Sequence, residues 1–386
     1  MTRYDVIVVG LGAMGSAATY QLAKRGARVL GIDRFSPPHD LGSSHGDTRI
    51  TRLAIGEGAH YTPLVKRSHE IWRDIERETG ADLLTQCGEL IISSNNQRAF
   101  THVEGFFANT VAAARAHGVA HELLDAGQIR ARFPAFNVRD DEFGYFEPEA
   151  GFVQPEACVA AQLQLAAKNG ADIRRNEIVM RFEAADHGVS LKTDRGSYSA
   201  DKLVVAAGSW LPGLIGGDFA KLLRAHRQVL CWYEVDGDIA DHEPPRFPVF
   251  IWELADTQQG IYGFPSIDGR SLKVSTEEYA HTTSPDAVDR TVSQDEVVAT
   301  HRQYVAPFLK GVSARASKTK VCLYTVTPDA GFIIDRLPSS ERVILASCCS
   351  GHGFKHSAAI GEVLADIAQG RESPFDLTPF RLGRFS

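Results

Sequence analysis

Apolar positions along this chain follow two different periods. Residues 5–9 form a short β-branched apolar run, and residues 13–25 place small and apolar side chains at helical spacing until Gly26. Residues 28–32 make a second buried-strand pattern ending in Asp33, so the first segment reads strand, helix, strand, the unit of a parallel sheet. The same character returns much later. A helix is predicted over 155–168, a strand over 172–174, hairpin strands across 178–198 and a buried strand over 202–208. A last strand over 342–346 leads through Ser350-Gly351-His352-Gly353 into a helix over 356–369 that Gly370 stops. One parallel sheet is therefore assembled from three separated stretches. Between them, segments rich in Phe, Tyr, Trp and Pro carry alternating strand-like runs such as 228–235, which predict an antiparallel sheet with flanking helices. The expected fold is α/β (α+β overall). A Rossmann-like dinucleotide-binding domain from residues 1–85, 146–215 and 321–386 is interleaved with an antiparallel-sheet substrate domain from 86–145 and 216–320.

Composition narrows the function classes. The chain of 386 residues carries 41 Lys+Arg against 48 Asp+Glu, a net charge of −7 that disfavours nucleic acid and anionic membranes as partners. No apolar run approaches the ~18 residues of a membrane span, and residues 6–9 lack the flanks of a signal peptide. A cytoplasmic location is expected. The six cysteines, at 87, 158, 231, 322, 348 and 349, show no CxxC spacing, so neither a zinc module nor a disulfide framework is expected.

The most specific local pattern is Gly10-Leu11-Gly12-Ala13-Met14-Gly15, with a strand before it, a helix after it and Asp33 beyond. The first glycine allows the turn, the second lets backbone approach a pyrophosphate, and the third lets helix and strand close up. Free N–H groups at the helix start suit the phosphates, and Asp33 suits a ribose. The motif serves FAD and NAD alike, and the acid argues against NADP.

Beyond it, Gly42-Ser43-Ser44-His45-Gly46-Asp47-Thr48-Arg49-Ile50-Thr51-Arg52 with Gly56-Glu57-Gly58 resembles the monomeric sarcosine oxidase and N-methyltryptophan oxidase family. Tyr262-Gly263-Phe264-Pro265 with Lys273, Val321-Cys322-Leu323-Tyr324-Thr325, Phe332-Ile333-Ile334-Asp335 and Ser350-Gly351-His352-Gly353-Phe354-Lys355 continue the match in family order. That resemblance implies FAD, attached covalently through a thioether at Cys322. It implies that Lys273 lies over the flavin and promotes reaction with O₂, where a fixed cation stabilises developing superoxide. Arg52 and Lys355 match the pair that holds the substrate carboxylate, a planar fork and a point charge. His45, Arg49, Tyr262 and Tyr324 match cavity-wall positions. Gly351, His352, Gly353 and Phe354 match the approach to the flavin ring, ahead of a helix start that favours negative charge there.

One departure bears on substrate. Where sarcosine oxidases carry a histidine four residues after the lysine, this chain has Glu277, which points to a larger or more cationic amine than sarcosine. The adjacent Cys348 and Cys349 also depart from the family's small or apolar residues, with no mechanism attached. The expected activity is oxidation of a secondary, N-methyl, α-amino acid by a monomer, with H₂O₂ as product. A cyclic imino-acid oxidase and a fructosyl-amino-acid oxidase are the near alternatives. A non-catalytic flavin-binding subunit and an NAD-dependent dehydrogenase are the distant ones.

Overall fold

In the computed structural model, residues 3–95, 103–254 and 259–386 are described. The apolar run at the start forms the Arg3–Val9 strand, which lies between Val29–Ile32 and Ser197–Val205, parallel to both. Asp172–Arg174 extends this parallel set on one side and Ser340–Ser347 on the other. All four residues of Val29–Ile32 are buried, as a strand covered on both faces requires. One cover is the Ala13–Lys24 helix, which lies against the Pro155–Lys168 and Ser357–Ala368 helices.

The predicted hairpin appears as Val179–Ala185 and Gly188–Thr193. The following strand begins earlier than expected, at Ser197 rather than 202, because its first residues pair antiparallel with the hairpin. It ends at Val205, three residues short of the expected 208, where the chain turns past Gly10. A Cβ on Gly10, whose φ is +85°, would lie 2.6 Å from Ala206 O, and one on Gly15 would lie 1.7 Å from Gly10 O. Both glycines are thus required by close backbone approach.

Among the described residues the second sheet has nine strands, with Arg224–Val235, Val249–Glu253, Gly260–Gly263, Ser271–Thr276 and Val312–Val326 nearest the site. Its pairings are antiparallel except where Val249–Glu253 runs parallel to Glu89–Ser94. The expected 228–235 strand starts at Arg224, where it pairs with the end of Val312–Val326. That last strand runs unbroken through position 321. A small third sheet is formed by Arg49–Thr51, Gly151–Val153 and Leu84–Gln86, with Arg49 at its first strand's start. No described helix is long and apolar enough to cross a membrane.

Candidate active site

A cavity of about 420 Å³ opens at the C-terminal ends of the parallel strands, lined by Val9, Ile32, Ala206 and Ser347 together with Gly10, Gly12, Ala13, Met14 and Asp33. This is where an open α/β sheet binds a nucleotide. Gly12 has no side chain with which to cap the helix that starts at Ala13, so the helix N-terminus faces the cavity with its own N–H groups; Ser44 Oγ accepts from Ala13 N at 3.1 Å. Asp33 accepts from Leu11 N at 2.7 Å and from Phe35 N at 2.8 Å, tying the glycine turn to the second strand. A carboxylate has about four acceptor sites, so it keeps capacity for a ribose. The donor set fits a dinucleotide.

A second cavity of about 80 Å³ is lined by Arg52, Glu57, Tyr262, Glu277, His352 and Lys355 among others. Arg49, Tyr324, Gly351 and Phe354 line both cavities, so the two meet at these four residues. Gly353 lines the first, whereas Gly15, His45, Lys273 and Cys322 line neither and lie behind the walls.

Charge is concentrated in the small cavity. Arg52 is 2% exposed, with Nη2 2.6 Å from Glu57 Oε2 and Nη1 3.7 Å from Glu89 Oε1. Its Nε is buried with no hydrogen-bond partner among the described residues, which marks room for an acceptor. Lys355 donates to His352 O at 2.8 Å and stands 3.9 Å from Glu57 Oε1. Burial, with Arg52 beside it, pushes its ammonium down to about 8. Against the burial that would raise it, Arg52 and Lys355 hold Glu57 well below the usual carboxylate range. Burial pushes Glu277 up to about 7, with Glu57 adding to the effect. Glu277 is half-buried and lines this cavity. The hydroxyls of Tyr262 and Tyr324 lie 3.3 Å apart.

Lys273, 3% exposed, donates to Gly46 O at 2.8 Å and Thr48 O at 2.6 Å and sits 3.8 Å from the Phe264 ring centroid. Burial, then Arg49, lowers its basicity, while Asp47 and Glu156 act the other way. The turn that offers those carbonyls is itself clamped. Glu156 Oε1 accepts from Gly46 N at 2.6 Å and Asp47 N at 3.3 Å, and Lys318 holds Asp47 at 2.7 Å. Arg49 Nη2 lies 3.2 Å from Cys322 Sγ, and burial raises that thiol while Arg49 opposes the rise. Burial, with Arg49 nearby, lowers the His45 imidazole to about 3, so it is neutral.

A doubly covered parallel sheet with a glycine turn and acid at its mouth, joined to a small charged cavity under an antiparallel sheet, defines a dinucleotide-dependent oxidoreductase. The chain belongs to the FAD dependent oxidoreductase family (DAO), whose profile matches residues 5–367. It is 40% identical over 370 residues to a monomeric sarcosine oxidase of Streptomyces avermitilis, covering 95% of this chain and 93% of that one. It is 36% identical over 383 residues to an N-methyl-L-tryptophan oxidase of Yersinia pestis, covering 99% of each. Its fold is similar to that of NikD, an amino acid oxidase of nikkomycin biosynthesis, with a TM-score of 0.83, 24% identity and 99% and 98% of the chains covered.

Sequence reasoning missed Glu156, Tyr279, Phe106 and the buried Glu89. Glu156 follows Pro155 at a helix start, a position that signals an N-terminal acid but not its long-range partners. Phe106 lies 5.2 Å beneath the Arg52 guanidinium and has no motif around it.

Proposed function

We propose that this protein oxidises a secondary, N-methyl, α-amino acid to the primary amino acid, formaldehyde and hydrogen peroxide, taking up one O₂ and one water. The observation that carries the reading is the junction of the two cavities: Arg52 and Lys355 present two buried cations to a space that meets the dinucleotide cavity at Arg49, Tyr324, Gly351 and Phe354. Bound FAD supplies the electron acceptor for the carbon beside the amine nitrogen. Around it the chain positions and polarises. Arg52, with its fork and its unpartnered Nε, and Lys355 as a point charge take the substrate carboxylate. Glu277 lies on the same wall and accepts from the amine. Tyr262 and Tyr324 shape the wall and the neutral His45 lies behind it, none of them acting as a base. Lys273, held by two backbone carbonyls, supplies the cation towards which O₂ is reduced.

The buried Cys322 thiol, beside the Arg49 guanidinium, is the proposed covalent attachment point for the flavin; the arginine favours the thiolate that such a bond requires. Residues 1–85, 146–215 and 321–386 form the proposed FAD-binding part and 86–145 with 216–320 the substrate part, in a cytoplasmic monomer. A peroxide-coupled screen of the purified yellow protein with N-methyl, cyclic and glycated amino acids tests the reaction. Peroxide from an N-methyl amino acid supports it, and peroxide from none of them overturns it. Acid precipitation tests the thioether, since colour that stays in the supernatant refutes attachment.

A further inference from the structure

Glu277 borders two spaces. On its inner side is the cavity of about 80 Å³ that holds Arg52 and Lys355. On its outer side is a groove of about 590 Å³ lined by Lys221, Arg224, His226, Glu278 and Tyr279 among others. Among the described residues, Glu277 is the one lining residue common to both. Tyr279 backs it. The Tyr279 hydroxyl stands 2.8 Å from where a Cβ on Gly351 would lie. Its ring lies 6.2 Å from Tyr324 and 5.9 Å from His226, centroid to centroid. A wall one side chain thick, Glu277 with Tyr279, thus separates the inner cavity from the groove.

Volume decides what crosses it. At roughly 10–15 Å³ per water-sized group, the inner cavity takes about six non-hydrogen atoms, the number in a carboxylate, an α-carbon, an amine and one methyl. A longer substituent exceeds it, and Glu277 is where the cavity adjoins the groove. In the groove beyond, Asp218 holds Lys221 at 2.7 Å, and Glu278 accepts from Ala280 N with His281 3.6 Å away. Arg224 is exposed there and makes no ion pair among the described residues.

We propose that this groove is an outer subsite for the far end of an extended substrate, an α-amino acid whose N-substituent or side chain passes Glu277 and Tyr279 and ends in an anionic group at Arg224. The inference rests on the reading of Arg52 and Lys355 as the inner carboxylate anchor, so its ligand carries two anionic ends.

Calorimetry on the yellow holoenzyme with unreactive linear monocarboxylates and α,ω-dicarboxylates of matched length tests it without turnover. Short monocarboxylates bind to the inner site alone. Above a threshold length, each dicarboxylate is expected to bind about tenfold more tightly than its monocarboxylate, the effect of one charge-assisted contact. That advantage should shrink at high salt. Arg224→Ala should abolish it, and Arg224→Lys should restore part of it. Equal binding of the two series at every length, or an advantage that survives Arg224→Ala, overturns the outer subsite while leaving the inner anchor in place. Failure of every short monocarboxylate to bind is a separate result that removes the inner anchor and this inference with it.

Discussion

Glu156→Ala cuts the clamp on the turn that holds Lys273. In the parent, one carboxylate oxygen takes the Gly46 amide at 2.6 Å and the Asp47 amide at 3.3 Å. Gly46 is buried, and both residues have positive φ, +99° and +66°, a region that suits the glycine and is uncommon for a side chain at position 47. A hydrogen bond to a charged group contributes about 1.5–3 kcal/mol, and the longer second bond less. With water entering the vacated space, the loss is about 3 kcal/mol for Ala and about 1 kcal/mol for Gln, which keeps an acceptor. At a slope of about 3 kcal/mol/M in urea, these are midpoint shifts of about 1 M and 0.3 M. Urea titration followed by tryptophan fluorescence measures both. The carbonyls of Gly46 and Thr48 lose their anchor in the same variant, so the rate at which the reduced enzyme consumes O₂ should fall too. If Ala and Gln both leave the midpoint within about 0.2 M of the parent, the carboxylate does not hold the turn and the reasoning fails.

Lys355 titrates near 8 in the free protein, and its charged form holds the carboxylate. The cation is present below that pH and lost above it, so kcat/KM should fall about tenfold per pH unit above 8 while kcat changes less, the bound anion raising the pKa; a flat profile to pH 10 would exclude the role. Arg52→Lys keeps the charge but not the planar fork, and KM should rise at least about tenfold with a smaller change in kcat, as steady-state kinetics would show. Lys273→Met should leave anaerobic reduction by substrate within a few-fold and slow reoxidation by orders of magnitude; stopped-flow mixing with O₂ reads this, and an unchanged reoxidation rate removes the assignment.

What could be read from the sequence follows how local each signal is. The strand, glycine turn, helix and Asp33 at the start lie within one supersecondary unit, and Asp33 does reach back to Leu11. Strand ends were less legible. Ser197–Val205 begins early because its first residues answer to a neighbouring hairpin, and pairing is a property of two segments. In the site, Lys273 reads on its own as an ordinary strand lysine; only the motif around it suggested burial. The acceptors that make burial tolerable come from the turn at Gly46 and Thr48. Glu156 was invisible for the same reason, since it acts on Gly46 and Asp47 far away along the chain, and the packing of Tyr279 on His226 and Tyr324 is equally remote. Glu277 was noticed as a departure, but that it stands between two cavities follows only from how the sheets close over it.

The three-part origin of the parallel sheet also constrains how the protein comes into being. Leu203 pairs with Val343 and Val204 with Ile344, so a central strand formed early in synthesis must wait for a partner made 140 positions later. Until then residues 203–205 present unsatisfied backbone groups on that side between apolar faces, the kind of surface that invites pairing with another chain. The Ser357–Ala368 helix, which covers Ala13–Lys24, arrives later still. The nucleotide mouth therefore cannot close until the chain has been made through residue 347, and a nascent chain stalled between the glycine turn and that point has the turn but not the site. Yield in a cell should accordingly depend less on the stability of the finished molecule than on how long its unfinished sheet is left open.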